Sequence, residues 1–159
     1  MSMSRRINRE RVFMLLFSAD YYDQEGMKDQ IDSFFADEEE EFIEEELLRI
    51  EEEGGSPDEI SIPSYITDGR EQIREKTLAI VEKIPELDKL LDEKIQGWNT
   101  GRIGKAELAC LRLALYEMRY DDNISDAVAI NEAVELAKKY GQSKSGEFVN
   151  GVLAKFAQG

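Results

Sequence analysis

Apolar residues recur at spacings of three and four along most of the chain, and alternation of period two is not sustained over any long window. Helices are expected, not strands. The first should cover about 5–21, opening on a cationic end and continuing through the apolar run VFMLLF at 12–17. Within 22–63 the apolar positions Phe34, Phe35, Phe42, Ile43, Leu47 and Ile50 fit helices around 27–35 and 39–53, closed by the turn residues GGSP at 54–57. Beyond this the stripe Ile66, Ile73, Thr77, Ile80, Val81 and Ile84 predicts a helix with Ser64 as N-cap. Pro85 is expected to end it and to pre-set the first turn of the next helix, whose inner face is Leu87, Leu90, Leu91, Ile95 and Trp98.

After an expected loop at 97–104, the stretch AELACLRLALYEM (106–118) is apolar on nearly every side, the mark of a central helix packed by several neighbours. Ser125 and Gly141 bracket another helix, and a last one starts near Ser143 or Ser145 and runs to about 157. Seven or eight helices and no sheet make this an all-α protein. The final hairpin interrupts its apolar faces with Asn131 and Asn150. Buried amides need partners, so both are expected to bond across a helix junction and fix the hairpin's register, with Asn150 also placed for recognition. Gly151 beside Asn150 is expected to allow close helix approach.

Length changes this picture little: 159 residues suit one domain with a single core, 1–159. The absence of any long apolar stretch argues against a membrane span, and the N-terminus lacks the pattern of a secretion signal. A single cysteine, Cys110, cannot form an internal disulfide and fits a reducing compartment, so the cytoplasm is expected. Charge changes the picture more. The net charge is −15, but residues 36–60 hold thirteen acidic side chains against one basic (Arg49). The rest of the chain has 19 basic and 22 acidic residues, so a local basic site is compatible with an acidic total. The acid run reads as a solvated face that keeps anions away.

Candidate chemistry is thin. The chain has no histidine, which removes Ser-His, Cys-His and His-ligated metal sites. Cys110 lies in the most apolar helix and reads as packing. GWNTGRIGKA fails as a phosphate loop, because Asn99 replaces the first glycine and Ala106 the magnesium-binding hydroxyl residue. The acid run lacks calcium-loop spacing. Neither an enzyme nor a cofactor is expected.

Recognition features remain. Arg5, Arg6 and Arg9 share one helix edge by their three- and four-residue spacings, and Phe17 lies two turns beyond Arg9. Guanidinium groups grip phosphates and stack on bases. Lys144, Phe148 and Asn150 put a cation, a ring and an amide at the start of the last helix, a combination suited to single-stranded RNA.

The blocks RRINRERVFMLLFSA, LACLRLALYEM, INEAVELAKKYG and FVNGVL, in this order, closely resemble the bacterial transcription antitermination factor family NusB. The similarity covers about 5–20 and 86–156, and the acidic 36–60 segment stands outside it. The resemblance implies two three-helix bundles sharing one domain. It implies a non-enzymatic RNA-binding factor that pairs with NusE, a small-subunit ribosomal protein, on boxA RNA of nascent ribosomal transcripts within the RNA polymerase antitermination complex. By the same resemblance, Arg5, Arg6, Arg9, Phe17, Lys144, Phe148 and Asn150 fall at RNA-facing positions and Glu107 at a NusE-linked position. Ile7 stands where some relatives carry another Arg, and Lys144 where some carry Asp. Some members dimerise, so a homodimer is an open alternative. Two other readings stay open: a protein-only helical scaffold, and the RNA-binding part of an rRNA methyltransferase.

Overall fold

The structure, a computed structural model, describes residues 1–95, 97 and 100–158. Trp98 and Asn99, to which the sequence assigned an inner face and a loop position, lie outside the described residues. Seven α-helices occur among the described residues, with no strand: α1 (Met3–Leu16), α2 (Gln24–Glu53), α3 (Ser64–Thr67), α4 (Arg70–Lys94), α5 (Lys105–Tyr120), α6 (Asp126–Tyr140) and α7 (Ser145–Ala154). Two 3-10 turns, Pro57–Glu59 and Thr100–Arg102, join them. Helices α1, α2 and α4 pack as one three-helix bundle and α5, α6 and α7 as a second. Helix α5 also packs on α1 and α4, so one apolar core runs through both bundles. Nine residues of α5 are buried, as its all-round apolarity requires.

Two expected breaks do not occur. Helix α2 runs unbroken where two helices were expected, because nothing at 36–38 breaks a helix and both glutamates at the junction are paired. Glu38 accepts from Arg11 of α1, and Glu39 from Arg70 of α4 at 2.7 Å. Helix α4 continues through Pro85. A helix-interior proline costs about 3 kcal/mol. Here the inner positions 73, 77, 80, 84, 87 and 91 keep alternating steps of four and three across it, so continued burial outweighs that cost. The first helix stops earlier than expected, at Leu16, and 17–21 form a turn.

The arginines of α1 divide by face. Arg9 is buried, not part of an open strip as the spacing suggested. Its guanidinium forks onto the fully buried carboxylate of Glu117 in α5, with Nε–H···O contacts of 3.0 Å and an Nη2 contact of 2.5 Å. Lys76 of α4 donates to the same carboxylate at 2.7 Å, and Arg9 also reaches the Ala129 carbonyl of α6 at 3.5 Å. Four helices therefore meet at one carboxylate. Arg11 is buried as well and ties α1 to Glu38 of α2 and to the Ile66 carbonyl of α3. Arg112, buried in α5, forks onto Asp88 of α4 and Asp20 of the turn after α1.

The terminal hairpin also departs from expectation. Asn131 and Asn150 are both exposed, so neither holds the helix register. Gly151 is exposed too, and a Cβ added there would meet nothing within 4 Å. The close approach lies at Gly146, whose added Cβ would come 3.1 Å from the Lys138 side chain, and at Gly141, where it would come 2.6 Å from the Ser145 Cβ and 2.7 Å from the Ala137 carbonyl. Gly141 does close α6, but by this crowding and in extended backbone.

Two outcomes follow for stability. Glu117→Ala leaves the Arg9 guanidinium and the Lys76 ammonium without their anion and should cost about 3–5 kcal/mol in urea unfolding. Gly151→Ala should instead raise stability by about 0.5–1 kcal/mol, since it replaces an exposed helical glycine. A melt of this variant below that of the parent would place Gly151 against a neighbour.

Candidate nucleic-acid interface

The exposed site begins at the seam between α1 and α6. On α1, positions 6, 10, 13 and 17 follow steps of four, three and four, so they share a face. Arg6 is about half exposed (53%) and its guanidinium pairs with Glu132 of α6 at 3.1 Å. One turn on, the Glu10 carboxylate accepts from Lys139 Nζ at 2.8 Å and from the Tyr140 hydroxyl. Phe13 packs its ring 5.1 Å from Tyr140, and Phe17 meets Phe13 edge-on at 5.0 Å. Phe17 is half-buried and packs against the core. Arg6, Lys139 and the exposed amide of Asn131 border one shallow hollow with Glu10. Arg5, fully on the surface, lies around the helix beside Asn8, Lys76 and Asn123.

Tyr140 carries the surface onward. It also borders a second cavity of about 640 Å³ between the start of α5 and the α6–α7 turn. Lys144, Phe148 and Glu107 meet there with Arg102 and Lys105. Asn150 points to solvent one helical turn or less from Phe148 but does not line this cavity. Helices α5 and α7 both begin at this rim, and neither N-cap, Gly104 or Lys144, supplies a side-chain bond to the first amides. The positive end of a helix favours an anion. Three cations, two helix starts and two rings, Tyr140 and Phe148, thus surround one carboxylate.

That carboxylate is partly engaged. The Gln142 amide donates to Ser145 Oγ at 2.8 Å, and the Ser145 hydroxyl is 2.5 Å from Glu107 Oε1. Glu107 is half-buried and braces α5 against α7 while one side faces the cavity. Burial pushes the Cys110 thiol up to about 12, with the Arg9 charge opposing and Glu107 adding to the rise. Among the described residues no cluster of three metal-ligating side chains occurs.

Of the residues singled out from sequence, the structure brings Lys144, Phe148 and Glu107 into one cavity and places Arg6 and Phe17 along the adjoining seam. It withdraws Arg9. Tyr140, Glu10, Arg102 and Lys105 were missed. The last two sit in GRIGK, where a failed phosphate-loop pattern concealed two cations at a helix start. Tyr140 follows the pair Lys138–Lys139 and reads in sequence as the end of a core stripe.

A model of the NusB family matches residues 6–158. The transcription antitermination protein NusB of Agathobacter rectalis is 44% identical over 155 residues, covering 98% of this chain and 100% of that protein. The protein of the same name from Lachnoclostridium phytofermentans is 35% identical, covering 96% of this chain and 98% of its own. The solved structure of T. maritima NusB, at 28% identity, superposes with a TM-score of 0.69 over 99% of this chain and 92% of that one.

The Glu10 cluster gives this surface an acid sensitivity. Burial raises the Glu10 carboxyl, but the bonds from Lys139 and Tyr140 and the Lys139 charge outweigh it and hold the group below its ordinary value of 4.5. A lowered carboxyl stabilises the fold at neutral pH and loses that contribution as the pH falls through its folded value. Glu10→Gln should therefore lower the melting temperature at pH 7, with the gap closing in acid. A constant gap from pH 7 to pH 3 would contradict the assignment.

Proposed function

The chain belongs to the NusB family, and we propose that it acts as an antitermination factor by pairing with NusE on boxA RNA of nascent ribosomal transcripts. Residues 1–159 act as one RNA-binding unit in this reading, with 36–60 kept clear of the RNA, and the pair works with RNA polymerase in the cytoplasm. One observation carries the proposal: exposed cations, half-exposed rings and uncapped helix starts lie along one surface joined through Tyr140. Single-stranded RNA is held by that mixture, with phosphates on cations and bases on rings. Arg5, Arg6 and Lys144 serve the phosphates. Phe17, Phe148 and Tyr140 serve the bases, with the exposed amides of Asn150 and Asn131 at the edge. Arg9 supports this surface from beneath through its pair with Glu117.

Glu107 serves NusE. Its free side faces out beside two helix starts, where a cationic partner group would find the one local anion.

The test is the salt dependence of boxA RNA binding in the presence of NusE. Each neutralised phosphate of a single strand contributes roughly −0.7 to the slope of log affinity against log salt. Replacing Arg5, Arg6 and Lys144 together with Ala should flatten that slope by about 2 and leave the melt near that of the parent. Phe148→Ala should weaken binding by about 1–3 kcal/mol and keep the slope. Wild-type affinity and slope in the triple variant would remove this surface from RNA binding.

A further inference from the structure

Helix α2 is two structures in one rod. Its first half is anchored: Met27, Ile31 and Phe35 are buried, and Asp32, Glu38 and Glu39 pair with Arg74, Arg11 and Arg70. Its last fourteen residues, 40–53, contribute no buried side chain, although they carry Phe42, Ile43, Leu47, Leu48 and Ile50. The returning segment 54–61 lies along only one side, beside Phe42, Glu46 and Ile50. Ile43 and Leu47, one turn apart, remain 38% and 42% exposed, and Leu48 is 62% exposed. Glu40, Glu44 and Glu51 fall along the far border of the Ile43–Leu47 stripe by helical spacing.

A helix face of this kind is costly to leave in water and has no core to cover it. Its rim limits what can. We infer that the Ile43–Leu47 face of α2 docks an amphipathic helix of a partner protein whose polar face is rich in lysine and arginine. The segment 36–60 carries a net charge of −12, so a second copy of this chain or a nucleic acid meets like charge. A cationic amphipathic helix meets the opposite charge at the rim and an apolar surface at the centre. This is the helix-on-helix mode in which anchors spaced at three and four residues fill the stripe. The proposal does not depend on the RNA surface, since no residue is shared.

The probe is a fluorescently labelled synthetic helix of about 20 residues, with leucines at positions i, i+3, i+4 and i+7 and lysines elsewhere. A scrambled peptide of the same composition, without an apolar face, is the control. Binding to the full chain is read by anisotropy. The amphipathic helix should bind at least about tenfold more tightly than the scrambled one. Ile43→Ala with Leu47→Ala keeps helix propensity while cutting the apolar face, and it should abolish that preference. Far-UV circular dichroism of the double variant checks that α2 persists. Equal binding of the two peptides, or an unchanged preference in the double variant, overturns the proposal. So does a concentration-dependent dimer, by sedimentation, that the double variant loses, because the face would then belong to a second copy.

Discussion

The fold turns on one buried carboxylate. Glu117 is wholly out of water, and it is held by a forked guanidinium from α1 and an ammonium from α4. An isolated charge there would cost many kcal/mol, and even a paired one repays its desolvation only with good geometry. What such a group provides is position. Apolar contacts let α1 slide along α5 with small penalties, whereas the Arg9 fork fits Glu117 in one register. The arginine also reaches a carbonyl of α6, so fixing α1 against α5 fixes it against α6. The seam of Arg6, Glu10, Phe13 and Phe17 is thereby set against Lys139 and Tyr140.

A division of labour among similar side chains follows. Within two turns of α1, Arg5 and Arg6 face solvent while Arg9 and Arg11 are bolts through the interior. The helix carries positive charge at its own positive end, against its dipole, at Arg5 and Arg6 only. Such an arrangement is tolerated because α1 is stabilised by burial and by the two bolts further along. The exposed seam of Arg6 and Glu10 is therefore built on a helix that Ser2 caps and that its packed faces hold in place.

Much of this was legible. The all-round apolarity of 106–118 marks α5 as central, and Ser125 caps α6 through its bond to the Val128 amide, as its position suggested. What sequence could not supply was direction. Arg5, Arg6 and Arg9 share an edge by spacing, but whether that edge faces water depends on α5, α4 and α6 arriving with Glu117, Lys76 and Ala129. The amides of Asn131 and Asn150 sit in apolar runs and read as inward-facing, yet both are exposed, and the close approach falls at Gly146, beside Lys138 and Val134. Pro85 and residues 36–38 read as breaks by local preference alone, and the continuous stripe and the ion pairs override it. For the cavity, the cations of GRIGK were visible but only the α6–α7 turn, folded back, gives them a common centre.

The projecting half of α2 and the α1–α6 seam are governed by charge in opposite ways. Around the core, Glu10 contributes only while ionised, so acid loosens the α1–α6 seam. Along 40–53, eight glutamates crowd one another with a single arginine, Arg49, to offset them through Glu46 and Glu53. Like charges at three- and four-residue spacing oppose the helix, and dissolved salt screens that repulsion. The chain therefore has no single response to ionic strength: salt firms the projecting arm while it weakens the attraction of Glu10 to Lys139 across the seam.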